Sequence, residues 1–202
     1  MLEQLNLELF STINAHPGLA SWQLSASLFA AEWLILLVPL GLCVMWISGV
    51  QTEREAAVRA LLATGLALAI NAVIGLLWYH PRPFVLGVGH TFMHHAADSS
   101  FPSDHATIMF TMAVVLAASR AEGGRRFGQW LLPLAAATAW ARVYLGVHYP
   151  MDMLGALVVA GVVAALANTR AVAVLCQAVQ RPMEMVYRRV LAAPIARGWL
   201  RP

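Results

Sequence analysis

Apolar and polar positions along this chain fall in long blocks rather than in the short periods of an amphipathic soluble domain. Four apolar runs, roughly 28 to 49, 57 to 79, 128 to 147 and 151 to 169, reach or approach the ~20 residues that carry a helix across a bilayer. A shorter fifth run, about 105 to 119, follows the stretch FPSDHAT. The pattern predicts an all-α integral membrane bundle of five transmembrane helices. Ahead of it, Leu2, Leu5, Leu9 and Ile13 share one helical face, with Glu3, Gln4 and Asn6 elsewhere. Such a segment, residues 1–24, suits a helix lying in the membrane interface or a short sixth span. It lacks the basic start and continuous apolar core of a signal peptide, so it is expected to be retained. The tail, 170–202, interleaves arginines with Met183, Met185, Val186, Tyr187 and Val190, which predicts an amphipathic helix on an anionic leaflet. The whole of 1–202 reads as one membrane domain.

Composition agrees: 60% of residues are hydrophobic and 11% charged, outside the range of ordinary soluble domains. Cys43 lies in a predicted span and Cys176 just after one, which gives no disulfide framework. The chain has no lysine, so all 13 basic residues are arginines. Arg54 and Arg59 lie between the first two runs, Arg120, Arg125 and Arg126 between the third and fourth in chain order, and six more after the last. Five spans put these regions on one side, which the positive-inside tendency makes the cytoplasm. Arg82 and Arg142 fall on the opposite side. A cation near a membrane segment is costly and usually persists because it binds something.

That opposite face gathers the chemistry. Segment 80 to 104 carries His80, Arg82, His90, His94, His95, Asp98, Ser103 and Asp104, and the second outer connection adds Arg142, His148 and Asp152. Two arginines at one site point to an oxyanion, since a guanidinium can give a phosphate two parallel hydrogen bonds. Ser103 or Asp104 can cap the helix that follows, whose free backbone N–H groups add to phosphate binding. His148 and Asp152 are four apart, so a carboxylate can hold one imidazole nitrogen while the other faces the site. An imidazole so held is a nucleophile toward phosphorus, and His105 is placed to protonate the leaving oxygen. His90, His94, His95 and Asp98 read as a polar loop over the site rather than a metal cluster, because no ligand pair repeats at a helical or finger spacing. Glu32, an acid inside a span, is either satisfied within the bundle or set near the site.

These residues resemble the type 2 phosphatidic acid phosphatase superfamily, whose signature is a Lys with Arg-Pro seven residues on, Pro-Ser-Gly-His, and Ser-Arg-x5-His-x3-Asp. Here the blocks stand as Gly75 with Arg82-Pro83, Pro102-Ser103-Asp104-His105, and Ala141-Arg142 with His148 and Asp152. Gly75, Asp104 and Ala141 depart from the pattern. The stretches HPRPF, HAADSSFPSDHAT and GVHYPMDMLG are similar to the bacterial undecaprenyl-diphosphatase branch associated with bacitracin resistance. The resemblance implies a multi-pass enzyme of the bacterial inner membrane that hydrolyses undecaprenyl diphosphate at the periplasmic face, recycling the carrier for cell-wall synthesis. It implies His148 as nucleophile, Asp152 orienting it, His105 as acid and then base, and Arg82, Ser103, Arg142 and the Asp104 position binding phosphate. It implies neither metal nor other cofactor, a polyprenyl diphosphate as partner, and no nucleic acid. The same blocks would serve a broader lipid phosphatase acting on phosphatidylglycerol phosphate or phosphatidic acid, or a lipid phosphotransferase. A non-catalytic anion binder would not need the positioned histidines.

Overall fold

The computed structural model describes residues 1–201, which are helices and their connections. Helix α1 (Leu2–Ile13) is followed by α2 (Ser21–Leu28), a π-helical turn (Phe29–Trp33), a 3-10 turn (Leu34–Leu36) and α3 (Leu37–Ile47). Then come α4 (Gln51–Leu77), α5 (Asp104–Ala117), α6 (Glu122–Tyr144), α7 (Pro150–Ala167), α8 (Arg170–Val190) and the short α9 (Ala192–Ala196). Ser21–Ile47, Gln51–Leu77 and Pro150–Ala167 are long and apolar enough to cross a membrane. With 14 residues, α5 falls short of a bilayer, and α6 opens on the polar turns of Glu122, Arg125 and Arg126.

The first two spans begin earlier than the apolar runs suggest. The first starts at Ser21 because polar groups are satisfied inside its opening turns: Ala20 N donates to Gln23 Oε1 and Ser27 Oγ to the Gln23 carbonyl. The second starts at Gln51, so Arg54 and Arg59 sit on α4 rather than in a connection. Arg54 is fully buried, its Nε 3.0 Å from the Trp46 carbonyl and its guanidinium over the rings of Trp46 and Tyr187. Arg59 donates to the Ala167 carbonyl at 2.9 Å and pairs with Glu55. Both arginines therefore tie helix ends together, beyond marking a membrane side. Arg59, Arg120 and Arg170 line one cavity, so these basic positions do share an end of the bundle.

Helix α5 lies at the centre, against α4, α6 and α7, and buries Met109, Met112, Ala113 and Leu116. Small residues set the spacing. A Cβ on Gly128 of α6 would overlap the backbone of Leu116 and Ala117 on α5, so the two helices touch main chain to main chain, as small residues allow in membranes. Large apolar side chains such as Leu76, Leu77 and Val162 face outward.

Helix α1 is shorter than the ~20 residues that carry a helix across a bilayer. Its twelve residues turn Asn6 and Phe10 inward and leave Leu2, Leu5 and Leu9 exposed. Asn6 Oδ1 accepts from Met151 N at 3.0 Å, and Phe10 meets Tyr149 edge-on at 5.3 Å. Just beyond, Asn14 bonds the main chain of His90 in both directions and the Tyr144 carbonyl. The N-terminal segment thus braces the two connections that carry the polar residues. Helix α8 packs on α4 through Cys176, Gln180 and Tyr187, leaving Val174, Leu175, Met185 and Val186 exposed.

Replacing Gly128 by Ala should destabilise the detergent-solubilised protein by ~1–3 kcal/mol through overpacking, whereas Gly65→Ala, with open space around the added carbon, should be neutral or slightly stabilising. Thermal unfolding of the two variants checks the α5–α6 contact. Equal melting temperatures would contradict it.

Candidate active site

The α6–α7 connection turns at Gly146, with φ +81°, and a Cβ there would land on the His90 carbonyl. Only glycine combines the left-handed backbone with that close approach. The turn delivers Val147 and His148 into the bundle, where His148 is 1% exposed. Helix α7 starts at Pro150, after His148, so the His148–Asp152 pair does not form along one helical face. Asp152 sits at the third position of α7, where its Oδ2 accepts from Tyr149 N at 2.8 Å and lies 3.1 Å from His148 Nδ1. One carboxylate oxygen caps the helix and holds the imidazole together. Ser100 Oγ donates to the same Oδ2 and lies 3.3 Å from His148 Nδ1.

Arg82 reaches the imidazole from the other side. Its Nη1 is 2.9 Å from His148 Nε2 and 3.0 Å from the Val147 carbonyl, while Nη2 donates to the Ser99 carbonyl at 3.3 Å. Asp98 Oδ1 holds the same guanidinium at 2.8 Å from Nε and 2.7 Å from Nη2. Arg142 Nη2 stands 3.5 Å from His148 Nε2. Two buried arginines, Arg82 from the loop after α4 and Arg142 from the last turn of α6 rather than from the connection after it, thus meet at one nitrogen.

These neighbours fix the tautomer. Arginine has donors and no acceptor, and Arg82 Nη1 stands nearer Nε2, at 2.9 Å, than Nδ1, at 3.4 Å, which assigns the lone pair to Nε2, while the carboxylate facing Nδ1 places the proton there. Burial drives the His148 pKa down to about 3 despite the opposing bond to Asp152, with Arg142 and Arg82 adding to the fall. His148 is therefore neutral at physiological pH, with the lone pair of Nε2 toward the arginines.

Ser103, rather than Asp104, caps α5: its Oγ accepts from Ala106 N at 3.5 Å. Its own backbone N–H points at the Asp152 carbonyl, 3.4 Å away, which joins the start of α5 to the start of α7. Asp104 is exposed, and Asn71 Nδ2 holds its Oδ1 at 2.8 Å while also bonding Thr107 Oγ1. His105, half-buried on the first turn of α5, makes no hydrogen bond among the described residues but lies within electrostatic reach of Arg142, His95 and Arg82. Glu32 likewise acts on Arg142 across space. The Ala30 and Ala31 carbonyls of the π-helical turn that contains Glu32 accept from Thr138 Oγ1 at 3.0 Å and Arg142 Nη1 at 3.4 Å.

The histidines of the long loop separate. His90 joins Asn14 through its main chain, whereas His95 turns to His148, ring centroids 6.0 Å apart. Gly75, at the position of the family lysine, packs beside Ser99, whose Cβ would lie 3.4 Å from an added Cβ. The loop that holds Arg82 therefore lies directly against this part of α4.

Sequence reasoning missed Ser100 and Asn71. Nothing along the chain separates Ser100 from its neighbour Ser99. Asn71 carries a signal: an amide within an apolar run must find a partner, and its partners are on α5.

The arrangement agrees with what the chain is similar to. Residues 56–174 match the PAP2 superfamily. The Escherichia coli (strain K12) protein YbjG, named provisionally as an undecaprenyl-diphosphatase, is 41% identical over 201 residues, covering all of both chains. Undecaprenyl-diphosphatase BcrC of Bacillus subtilis (strain 168) is 36% identical over 157 residues, 77% of this chain and 79% of BcrC. The crystal structure of Aquifex aeolicus LpxE superposes with a TM-score of 0.63 at 25% identity, over 81% of this chain and 94% of that one. The match over more than half of the sequence, with the family's blocks folded onto one imidazole, makes this chain a member of the PAP2 superfamily.

Proposed function

We propose that this protein is an undecaprenyl-diphosphate phosphatase that works through a phosphohistidine. The observation that carries the reading is the convergence of Arg82 and Arg142 on the lone-pair nitrogen of a buried, neutral His148. The names of the relatives YbjG, matched over its full length, and BcrC support the lipid substrate.

In this reading the terminal phosphate displaces Arg82 from His148 Nε2 and takes up the guanidinium donors of Arg82 and Arg142. Free backbone N–H groups in the first turn of α5, at Asp104 and His105, complete the cradle. The Nε2 lone pair attacks phosphorus, the bond to the bridging oxygen breaks, and His105 supplies the proton that oxygen takes up. Undecaprenyl phosphate departs. As the imidazole gains positive character, Asp152 stabilises it through Nδ1–H, and Ser100 and Tyr149 N keep the carboxylate in place. His105, now neutral, accepts a proton from water, which attacks the phosphohistidine and releases phosphate, restoring the starting state. The pair Arg82 and Arg142 acts where the equatorial oxygens of the transferring phosphoryl group gain charge.

The basic end of the bundle supports the cytoplasmic assignment, so the site opens to the periplasm and the chain crosses the inner membrane five times. Helix α5 can be short because its N-terminus is the floor of the site rather than the membrane surface.

Phosphate release from undecaprenyl diphosphate in detergent, with chelator present, is the direct test. Native protein should turn over, His148→Ala should lose at least roughly a thousandfold, and Asp152→Asn roughly 100-fold to 10,000-fold; His105→Gln should lose about 100-fold to 10,000-fold. An inert native protein, or an undiminished His148→Ala variant, would reject the reading.

The tautomer makes a separate prediction. In protein labelled with 15N-histidine, the His148 signals should remain those of a neutral Nδ1–H imidazole from about pH 8 to about pH 5, because a lowered pKa keeps the proton off Nε2 throughout that window. A titration centred near the ordinary histidine value of about 6.5 would contradict the assignment.

A further inference from the structure

His95 stands beside His148, ring centroids 6.0 Å apart and planes crossing at 76°. Its side chain is 19% exposed against 1% for His148, so it is the more accessible of the two imidazoles. Nδ1 faces the Ala96 carbonyl at 3.1 Å and lies 3.9 Å from Asp98 Oδ1, the oxygen that grips Arg82. Nε2 has no hydrogen-bond partner among the described residues. His105 is also within electrostatic reach.

The proposed reaction leaves one feature of its substrate without a protein partner. Arg82 and Arg142 both address His148 Nε2, so they serve the phosphate under attack. Displacement in line puts the leaving oxygen on the far side of phosphorus from His148, away from the buried imidazole, and His95 is a more accessible imidazole within 6.0 Å of it. In a monoester that oxygen carries only the lipid. In a diphosphate it carries a second phosphate, with further negative oxygens to be satisfied.

Resting on the phosphatase reading above, we propose that His95 binds this second, non-transferred phosphate and thereby biases the site toward diphosphate esters over monoesters. With the site empty, burial first and the two arginines second hold the imidazole below its usual pKa, so it stays neutral. An arriving diphosphate offsets the arginine charge and favours the imidazolium, whose free Nε2–H then gives a charge-assisted hydrogen bond to a phosphate oxygen. Asp98 links this response to Arg82, since one carboxylate oxygen serves both side chains.

The experiment compares kcat/KM for undecaprenyl diphosphate and for phosphatidic acid, in one detergent, for native protein, His95→Ala and His95→Arg. The diphosphate-to-monoester ratio should fall roughly 10-fold to 100-fold in His95→Ala, the loss falling mainly on the diphosphate. His95→Arg, which restores a cation, should recover much of it. If the alanine variant does not yield folded protein, His95→Gln replaces it, with a smaller fall predicted because a donor remains without the charge. An unchanged ratio, including equal losses on both substrates, would overturn the role of His95 and leave the phosphatase reading standing. A native protein inert on both substrates would overturn that reading and this inference with it.

Discussion

The structure turns on two buried guanidinium groups that converge on a single uncharged imidazole. Burying a cation next to a membrane is costly, and burying two side by side adds their repulsion. Among the described residues, Arg82 has one carboxylate partner, Asp98, which is itself 62% exposed, and Arg142 has a carbonyl at 3.4 Å and a buried Nε without a partner. The charge is thus incompletely answered by the protein, and a polyanion with oxygens to share among both groups supplies what is missing. A neutral His148 is a consequence of the same arrangement, since neither burial nor two neighbouring cations tolerate a third charge there.

The rest of the bundle holds this arrangement in place. Asp152 uses one oxygen for three donors, from Tyr149 N, His148 Nδ1 and Ser100 Oγ, so the start of α7 and the setting of the imidazole are one structural event. The π-helical turn between α2 and α3 presents carbonyls to Thr138 and Arg142 on α6. The close α5–α6 approach at Gly128 fixes the helix whose first turn carries His105. Phe10 and Asn14 brace the connections from outside.

Much of this could be read in the sequence because membrane helices are set by long apolar runs and by charge, both visible residue by residue. The positions of all five runs have helical counterparts, and the motif spacing brought Arg82, Arg142, His148 and Asp152 to one place. The starts of the first two spans were hidden, because the polar residues of α2 and α4 satisfy one another in ways that composition does not record. Arg54 read as a topology marker, yet its burial under Trp46 and Tyr187 depends on α8 folding back, a contact between distant parts of the chain. The leucine stripe of α1 marked an apolar face suited to the membrane interface, and Leu2, Leu5 and Leu9 are exposed; that Asn6 and Phe10 turn to the protein depends on partners far along the chain. Ser100 and the turn of His95 toward His148 depend on how the long loop folds, which no periodicity encodes.

The central claim is that His148 Nε2 is the atom that takes the phosphoryl group, and rapid acid-free quenching of turnover tests it most directly. Undecaprenyl diphosphate labelled with 32P in its terminal phosphate should leave an alkali-stable, acid-labile label on the peptide containing His148, and none in the His148→Ala protein. Label on another residue, or turnover by the native protein through no labelled intermediate under conditions that slow its hydrolysis, would contradict the account.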